Sequence, residues 1–129
     1  MSCLLYTDNT TGPTLAAGAQ IPFGSTVHRR GRANTLEGNN VIIRGGCNSY
    51  AHVIATPNLA PTAEGEVSVT ALIDGNAVQT KTVTAGAGGD YVIVPLDFVV
   101  KGGCDGMHVL TFTVSAACTL ASFPVTVES

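Results

Sequence analysis

The sequence predicts an all-β protein, an antiparallel two-sheet sandwich or jelly roll of about eight strands, and three observations carry that expectation. Fifteen glycines and six prolines punctuate the 129 residues so regularly that the longest interval free of both is 107–123. Inside it Leu110, Phe112, Val114 and Ala116 alternate with Thr111, Thr113 and Ser115, the period of two of a half-buried strand and not of a helix. Between two further runs stands Asp74-Gly75-Asn76, where Asp and Gly tolerate the positive φ of a tight hairpin turn.

In chain order, residues 1–19 read as an N-terminal arm or first edge strand, ahead of a jelly-roll domain over 20–129. The opening Met1-Ser2-Cys3-Leu4-Leu5-Tyr6-Thr7-Asp8 carries no basic leader, and its apolar run is too short for a signal peptide. Synthesis in the cytoplasm without general secretion is the expectation. Residues 20–28 form a candidate strand interrupted by Pro22 and Gly24, followed by strands over 40–44 and 49–56. Gly45-Gly46 and the stretch 57–61, bounded by two prolines, punctuate them. Next come Val67, Val69, Ala71 and Ile73 alternating with Ser68 and Thr70, then the turn and a strand over 76–83. Residues 90–100 lie between two glycine clusters, and a last strand alternates Phe123, Val125 and Val127 with Thr126 and Glu128.

The strand over 90–100 differs from the rest. Val92, Val94, Leu96 and Phe98 fill one face, while Tyr91, Ile93 and Val99 make the other apolar as well. Such a strand needs cover on both sides, from a second sheet and a loop or from another subunit. Only 12% of residues are charged and 45% are apolar, which argues against disorder and against a well-solvated lone monomer. Another subunit is therefore preferred over an interior strand of a monomeric sandwich. Area scaling gives roughly 6,400 Å² folded, a third of the extended chain, so one core is attainable without staples.

A formal charge of −3 gives no summed positive potential for nucleic acid or an anionic membrane. No run approaches the ~18 apolar residues of a membrane helix. Cys3, Cys47, Cys104 and Cys118 form no C-x-x-C or C-x-x-H pair, so zinc and redox sites lack local support and reduced thiols are expected. Pairing of Cys47 with Cys104 after release into an oxidising environment stays open. His28, His52 and His108 read as surface or interface histidines, the sharper alternative being a ring of identical histidines on a threefold axis that binds an ion or senses pH. Asp90, Asp97 and Asp105 read as solvated turn acids and not as a calcium site.

His28-Arg29-Arg30-Gly31-Arg32 holds three of the six basic residues. Guanidinium donors at Arg29, Arg30 and Arg32 suit docking onto a carboxylate-lined partner, against the plainer alternative of a solvated loop. The chain has no Gly-x-Ser-x-Gly, no His-Glu-x-x-His and no phosphate-cradling glycine loop. No enzyme and no cofactor are expected.

The order Gly46-Cys47-Asn48-Ser49-Tyr50-Ala51-His52-Val53, then 66–78 from Glu66 through Asp74-Gly75-Asn76 to Val78, resembles the trimeric jelly rolls of the tumour necrosis factor and complement globular-head type. Similarity extends to the C-terminal domain of the collagen-like exosporium glycoprotein and to small virion proteins of gut-bacterial phages. Ile21-Pro22-Phe23-Gly24, Ala60-Pro61-Thr62-Ala63-Glu64-Gly65 and Val100-Lys101-Gly102-Gly103-Cys104 look like the latter. The resemblance implies a homotrimer displayed on a larger particle. The collagenous Gly-x-y stalk of the exosporium protein is missing here, which favours a compact capsid decoration or head-fibre protein on the virion surface.

On that basis Tyr91, Ile93, Phe98, Phe123 and Val125 are the expected trimer contacts. Arg29, Arg30 and Arg32 are the expected docking residues toward the major capsid protein or another virion protein. The rival functions are a receptor- or carbohydrate-binding tail-fibre tip, disfavoured by the absence of Trp, and a self-assembling bacterial surface or spore-appendage subunit.

Overall fold

A computed structural model describes residues 3–44, 49–86, 89–101 and 106–129. Among them the chain is all strand and connection, with no helix. The strands are β1 (Leu4–Asp8), β2 (Thr14–Leu15), β3 (Ser25–Arg30), β4 (Asn34–Glu37), β5 (Asn40–Arg44), β6 (Tyr50–Ala55) and β7 (Asn58–Pro61). They continue with β8 (Gly65–Ile73), β9 (Asn76–Ala85), β10 (Val92–Ile93), β11 (Leu96–Lys101), β12 (Met107–Val114), β13 (Cys118–Ser122) and β14 (Val125–Glu128). The described pairings are all antiparallel.

Three ladders have the orders β11-β6-β14-β1-β3, β10-β7-β13-β2 and β4-β5-β12-β8-β9. The first two share one physical origin. Strands β10 and β11 are separated by Val94-Pro95, β6 and β7 by Thr56-Pro57, and β13 and β14 by Phe123-Pro124, while Pro13 directly precedes β2. Proline has no N–H to give to a ladder, so a line of prolines across four neighbouring strands breaks each at the same height. Carbonyl oxygens are unaffected. Val94 N–H donates to Pro57 O at 3.1 Å, Thr56 N–H to Pro124 O at 3.1 Å and Leu120 N–H to Pro13 O at 2.9 Å. The second ladder is thus the continuation of the first, bent along a proline seam. Facing it lies the third, and together they make a jelly roll.

Leu5, Val53, Leu96, Val125 and Val127 from one side meet Val41, Val67, Val69, Leu110 and Phe112 from the other, all within one buried cluster. At its centre the Phe23 and Phe123 rings stack at 5.5 Å, and Phe112 meets Phe123 edge-on at 5.3 Å and Phe23 at 5.9 Å. Each such ring pair adds about 0.5–1.5 kcal/mol beyond area burial. All three rings are fully buried although they come from segments far apart in sequence.

Several expectations hold in detail. The strand over 40–44 is β5, and β8 and β9 close at Asp74 (φ 53°) and Gly75 (φ 83°), the positive pair of a type I′ turn. Others need correction. Residues 3–19 do not stand apart as an arm: β1 is hydrogen-bonded to β14 on one side and β3 on the other, and Leu5 and Leu15 sit in the common core. Only the short β2 lies at an edge. The stretch 57–61 is not simple punctuation, since Asn58–Pro61 forms β7. The interval 90–100 is split by the seam, and in 20–28 only the part beyond Gly24 becomes a strand.

Candidate interaction face

Burial alternates without a break along the bent strand β10–β11. Val94, Leu96 and Val100 are buried, whereas Tyr91, Ile93, Pro95, Asp97, Val99 and Lys101 point out. Tyr91, Ile93 and Val99 each keep more than half of their surface. Register extends this outward face across the sheet. Val99 opposes His52, His52 opposes Glu128, and Glu128 opposes Leu4; in the next row Asp97 opposes Ile54, Ile54 opposes Thr126, and Thr126 opposes Tyr6. Tyr50 and Ile54 on β6 are also exposed. An open depression of about 500 Å³ lies here, lined by Tyr50, His52, Val99, Glu128 and Ser129.

Polar side chains interrupt this face at His52, Asp97, Lys101, Thr126 and Glu128. His52 Nε2 and Asp97 Oδ1 are hydrogen-bonded to each other. The Gln79 amide, reaching from β9, donates to Asp97 O at 3.0 Å and accepts from Asp97 N–H at 2.9 Å. A side chain therefore occupies the open edge of β11 at one point, as a further strand would.

The structure divides the residues expected at a trimer contact. Tyr91 and Ile93 stand on the outward face. Phe123 and Val125 are corrected: they are 0% and 1% exposed and lie in the subunit's own core, so no surface is left for a neighbour. Phe98 is half-buried and turned inward, its ring 6.4 Å from that of Phe112. Sequence reasoning missed Tyr50 and Ile54. Their signal is present in Tyr50-Ala51-His52-Val53-Ile54-Ala55, where the face opposite Ala51, Val53 and Ala55 is itself largely apolar.

Arg29 and Arg30 lie on β3, and Arg32 follows it; all are exposed. His28 lies beside Tyr6 in the register, while His108 Nδ1 meets Asp74 Oδ2 at 2.6 Å on the opposite sheet. The His108 hydrogen bond, helped by the Val109 N–H, holds the Asp74 carboxyl below its ordinary range. The three histidines are thus on separate strands, and only His52 and His28 share the sheet of the apolar face.

No group of three or more potential metal ligands occurs among the described residues. Asp97 is engaged with His52, Asp90 is exposed, and Asp105, Cys47 and Cys104, with any pairing of the last two, lie outside the described residues. Cys3 and Cys118 are free thiols, and burial pushes the Cys118 thiol up. A second depression, of about 280 Å³, is lined by Asp8, Asn9, Thr10, Thr11, Gly24 and Ser25. Asp8 Oδ1 there accepts from the N–H groups of Asn9 and Phe123, and Asn9 bonds Pro22 O and Thr11, so these groups clasp the chain to itself.

No family model and no curated protein sequence matches the chain. Solved structures do. Murine APRIL at pH 5.0 superposes with a TM-score of 0.76 over 100% of both chains at 12% identity. The globular domain of the zebrafish complement 1qA protein gives 0.65 over 98% of this chain and 94% of that one at 7% identity. The PRD1 vertex protein gives 0.60 with the same coverages at 17% identity. At these identities the likeness is one of fold, a jelly roll of the tumour necrosis factor and complement globular-head type.

Proposed function

We propose that this chain is a non-enzymatic structural protein of a phage virion, a homotrimer that decorates the capsid or forms a head fibre. The observation that carries the reading is the outward face of β10–β11 and β6. It keeps Tyr50, Ile54, Tyr91, Ile93 and Val99 exposed after the subunit has completed its own core. The accessible surface of 6316 Å² matches the roughly 6,400 Å² of a fully folded chain of this mass, so the apolar face is left over from folding and not a sign of incomplete folding.

A single subunit leaves that face in water. An apolar interface of about 1,000 Å² in the assembled oligomer would give a gross ~25 kcal/mol before ordering costs, enough for a persistent oligomer. Three copies around one axis is the arrangement implied by the sequence resemblance. The vertex-protein likeness supports a place on a phage particle, and Arg29, Arg30 and Arg32 supply the docking cations toward the major capsid protein or another virion protein.

Immunogold labelling of particles released by cells that make the chain tests the placement. The expected result is regular labelling of intact heads. Label confined to tails, to the bacterial surface or to free protein would overturn it.

A further inference from the structure

His52 stands in the middle of the outward face. On β6 it opposes Val99 of β11 on one side and Glu128 of β14 on the other, and with Tyr50 and Ser129 they line the depression. Its Nε2 is hydrogen-bonded to Asp97 of β11. In the lone subunit both side chains keep water, His52 being 47% and Asp97 66% exposed. The charges around this imidazole are unevenly placed. From β11 come Asp97 and, beyond Val99, Lys101, which opposes Tyr50. Lys101 is four residues from Asp97 along one strand, about 13 Å away. From β14 comes Glu128; Arg30, at the far end of its row across Leu4, is itself engaged. His28 ends the row of Asp97, beyond Ile54, Thr126 and Tyr6. From β9 the uncharged Gln79 holds the Asp97 main chain, with Lys81 two residues further along. His52 is thus the base next to Asp97, with a carboxylate on either side of it.

Water screens these groups while the face is open. Under a neighbouring subunit Asp97 and Glu128 lose hydration, and an ionised carboxylate covered beside a neutral imidazole lacks a counter-charge. Once protonated, the imidazole makes a charge-assisted hydrogen bond to Asp97 and meets Glu128 with the opposite sign. Imidazole is the side chain that changes charge between pH 5 and 8. We infer that assembly through this face takes up a proton at His52, so that the oligomer tightens as pH falls from about 8 to about 6 and loosens as it rises. This deepens the homotrimer reading and rests on it. The sign follows from linkage: the assembled state binds more protons than the free subunit, so added protons favour assembly.

Sedimentation equilibrium of the intact protein, over a dilution series at constant ionic strength between about pH 6 and about pH 8, tests this. The parent's assembly midpoint is expected to lie at least about tenfold lower in concentration at the acid end. His52→Gln, uncharged throughout, should flatten that slope, and Asp97→Asn should assemble more tightly than the parent at the alkaline end, because the covered carboxylate is gone. The chain's isoelectric point near 5.4 means that general loss of charge also favours association on acidification. That background persists in His52→Gln, whereas His108→Gln, on the opposite sheet, should keep the whole parental slope. Urea unfolding at each pH shows that the variants fold. A slope that survives in His52→Gln, is lost equally in His108→Gln, or is absent or reversed in the parent would overturn the proton uptake and leave the oligomer standing. A parent that stays a single subunit at every pH and concentration would overturn the oligomer and this inference together.

Discussion

Replacing Val99 by Ser removes apolar surface from the middle of the outward face and leaves the core intact, because the side chain is 59% exposed in the subunit. Full burial of a valine stabilises by about 1.5–3 kcal/mol. The exposed fraction that a neighbour would cover, less what Ser retains, leaves about 1 kcal/mol per subunit, or about 3 kcal/mol for a trimer. At about 1.4 kcal/mol per decade, the trimer dissociation constant rises about a hundredfold. Because that constant scales with the square of the midpoint concentration, the midpoint itself rises about tenfold. Sedimentation equilibrium over a dilution series reads this directly. Met107→Ser is the matched control, since Met107 is 57% exposed but lies on β12 of the opposite sheet. A Val99→Ser midpoint within twofold of the parent, or an equal shift for Met107→Ser, would refute the assignment of the face.

Phe112→Ala should cost about 3–5 kcal/mol in urea unfolding, because the ring touches Phe23, Phe98 and Phe123 and is fully buried; a loss under about 1.5 kcal/mol would contradict the three-ring core. Gly24→Ala should destabilise by about 2 kcal/mol or more, since at φ +86° its new Cβ would stand 2.4 Å from Asp8 O, a backbone atom. Gly38→Ala, at φ +62° with open space around it, should cost only about 1 kcal/mol, and equal losses at the two sites would reject the close-approach explanation. Asp74→Asn keeps a residue that tolerates positive φ and removes the charge facing His108. Its folded carboxyl is depressed, so its stabilisation is present above the unfolded pKa of about 3.9 and is lost as pH falls through the lower folded value. The half-exposed site limits the loss to about 1 kcal/mol at pH 7, and a stability difference that persists well below pH ~3 would contradict it.

Local rules carried most of the strand pattern. Alternation and the Asp74-Gly75 turn place β5, β8 and β9 because those elements depend on near neighbours and on one buried face. The interior position of the first strand escaped because its partners are β14 and β3, and Leu4-Leu5-Tyr6 shows no clean alternation to announce them. Pro57 was read as punctuation, whereas Pro95 and Pro124 were passed over inside single strands; all three end hydrogen-bonding runs, but they fall side by side, so the sheet bends and goes on.

The candidate face was legible where both faces of a strand are apolar, and Tyr91 and Ile93 follow from that alone. Phe98 belongs to the other parity of the same strand and turns toward Phe112. For Phe123 and Val125 the period of two already separates an apolar face from Thr126 and Glu128. A strand with one apolar face commits it to its own sandwich, and the structure places both residues there. The His52–Asp97 pair and the Gln79 edge contact were beyond sequence reading, because they join strands brought together only by the sheet order.

Native mass measurement of the dilute, purified chain bears most directly on the central claim that the outward face is covered by like copies. A species of three times the 13.1 kDa of one chain, persisting on dilution into the low micromolar range, is the predicted result. A stable 13.1 kDa particle with its apolar face in water would contradict it.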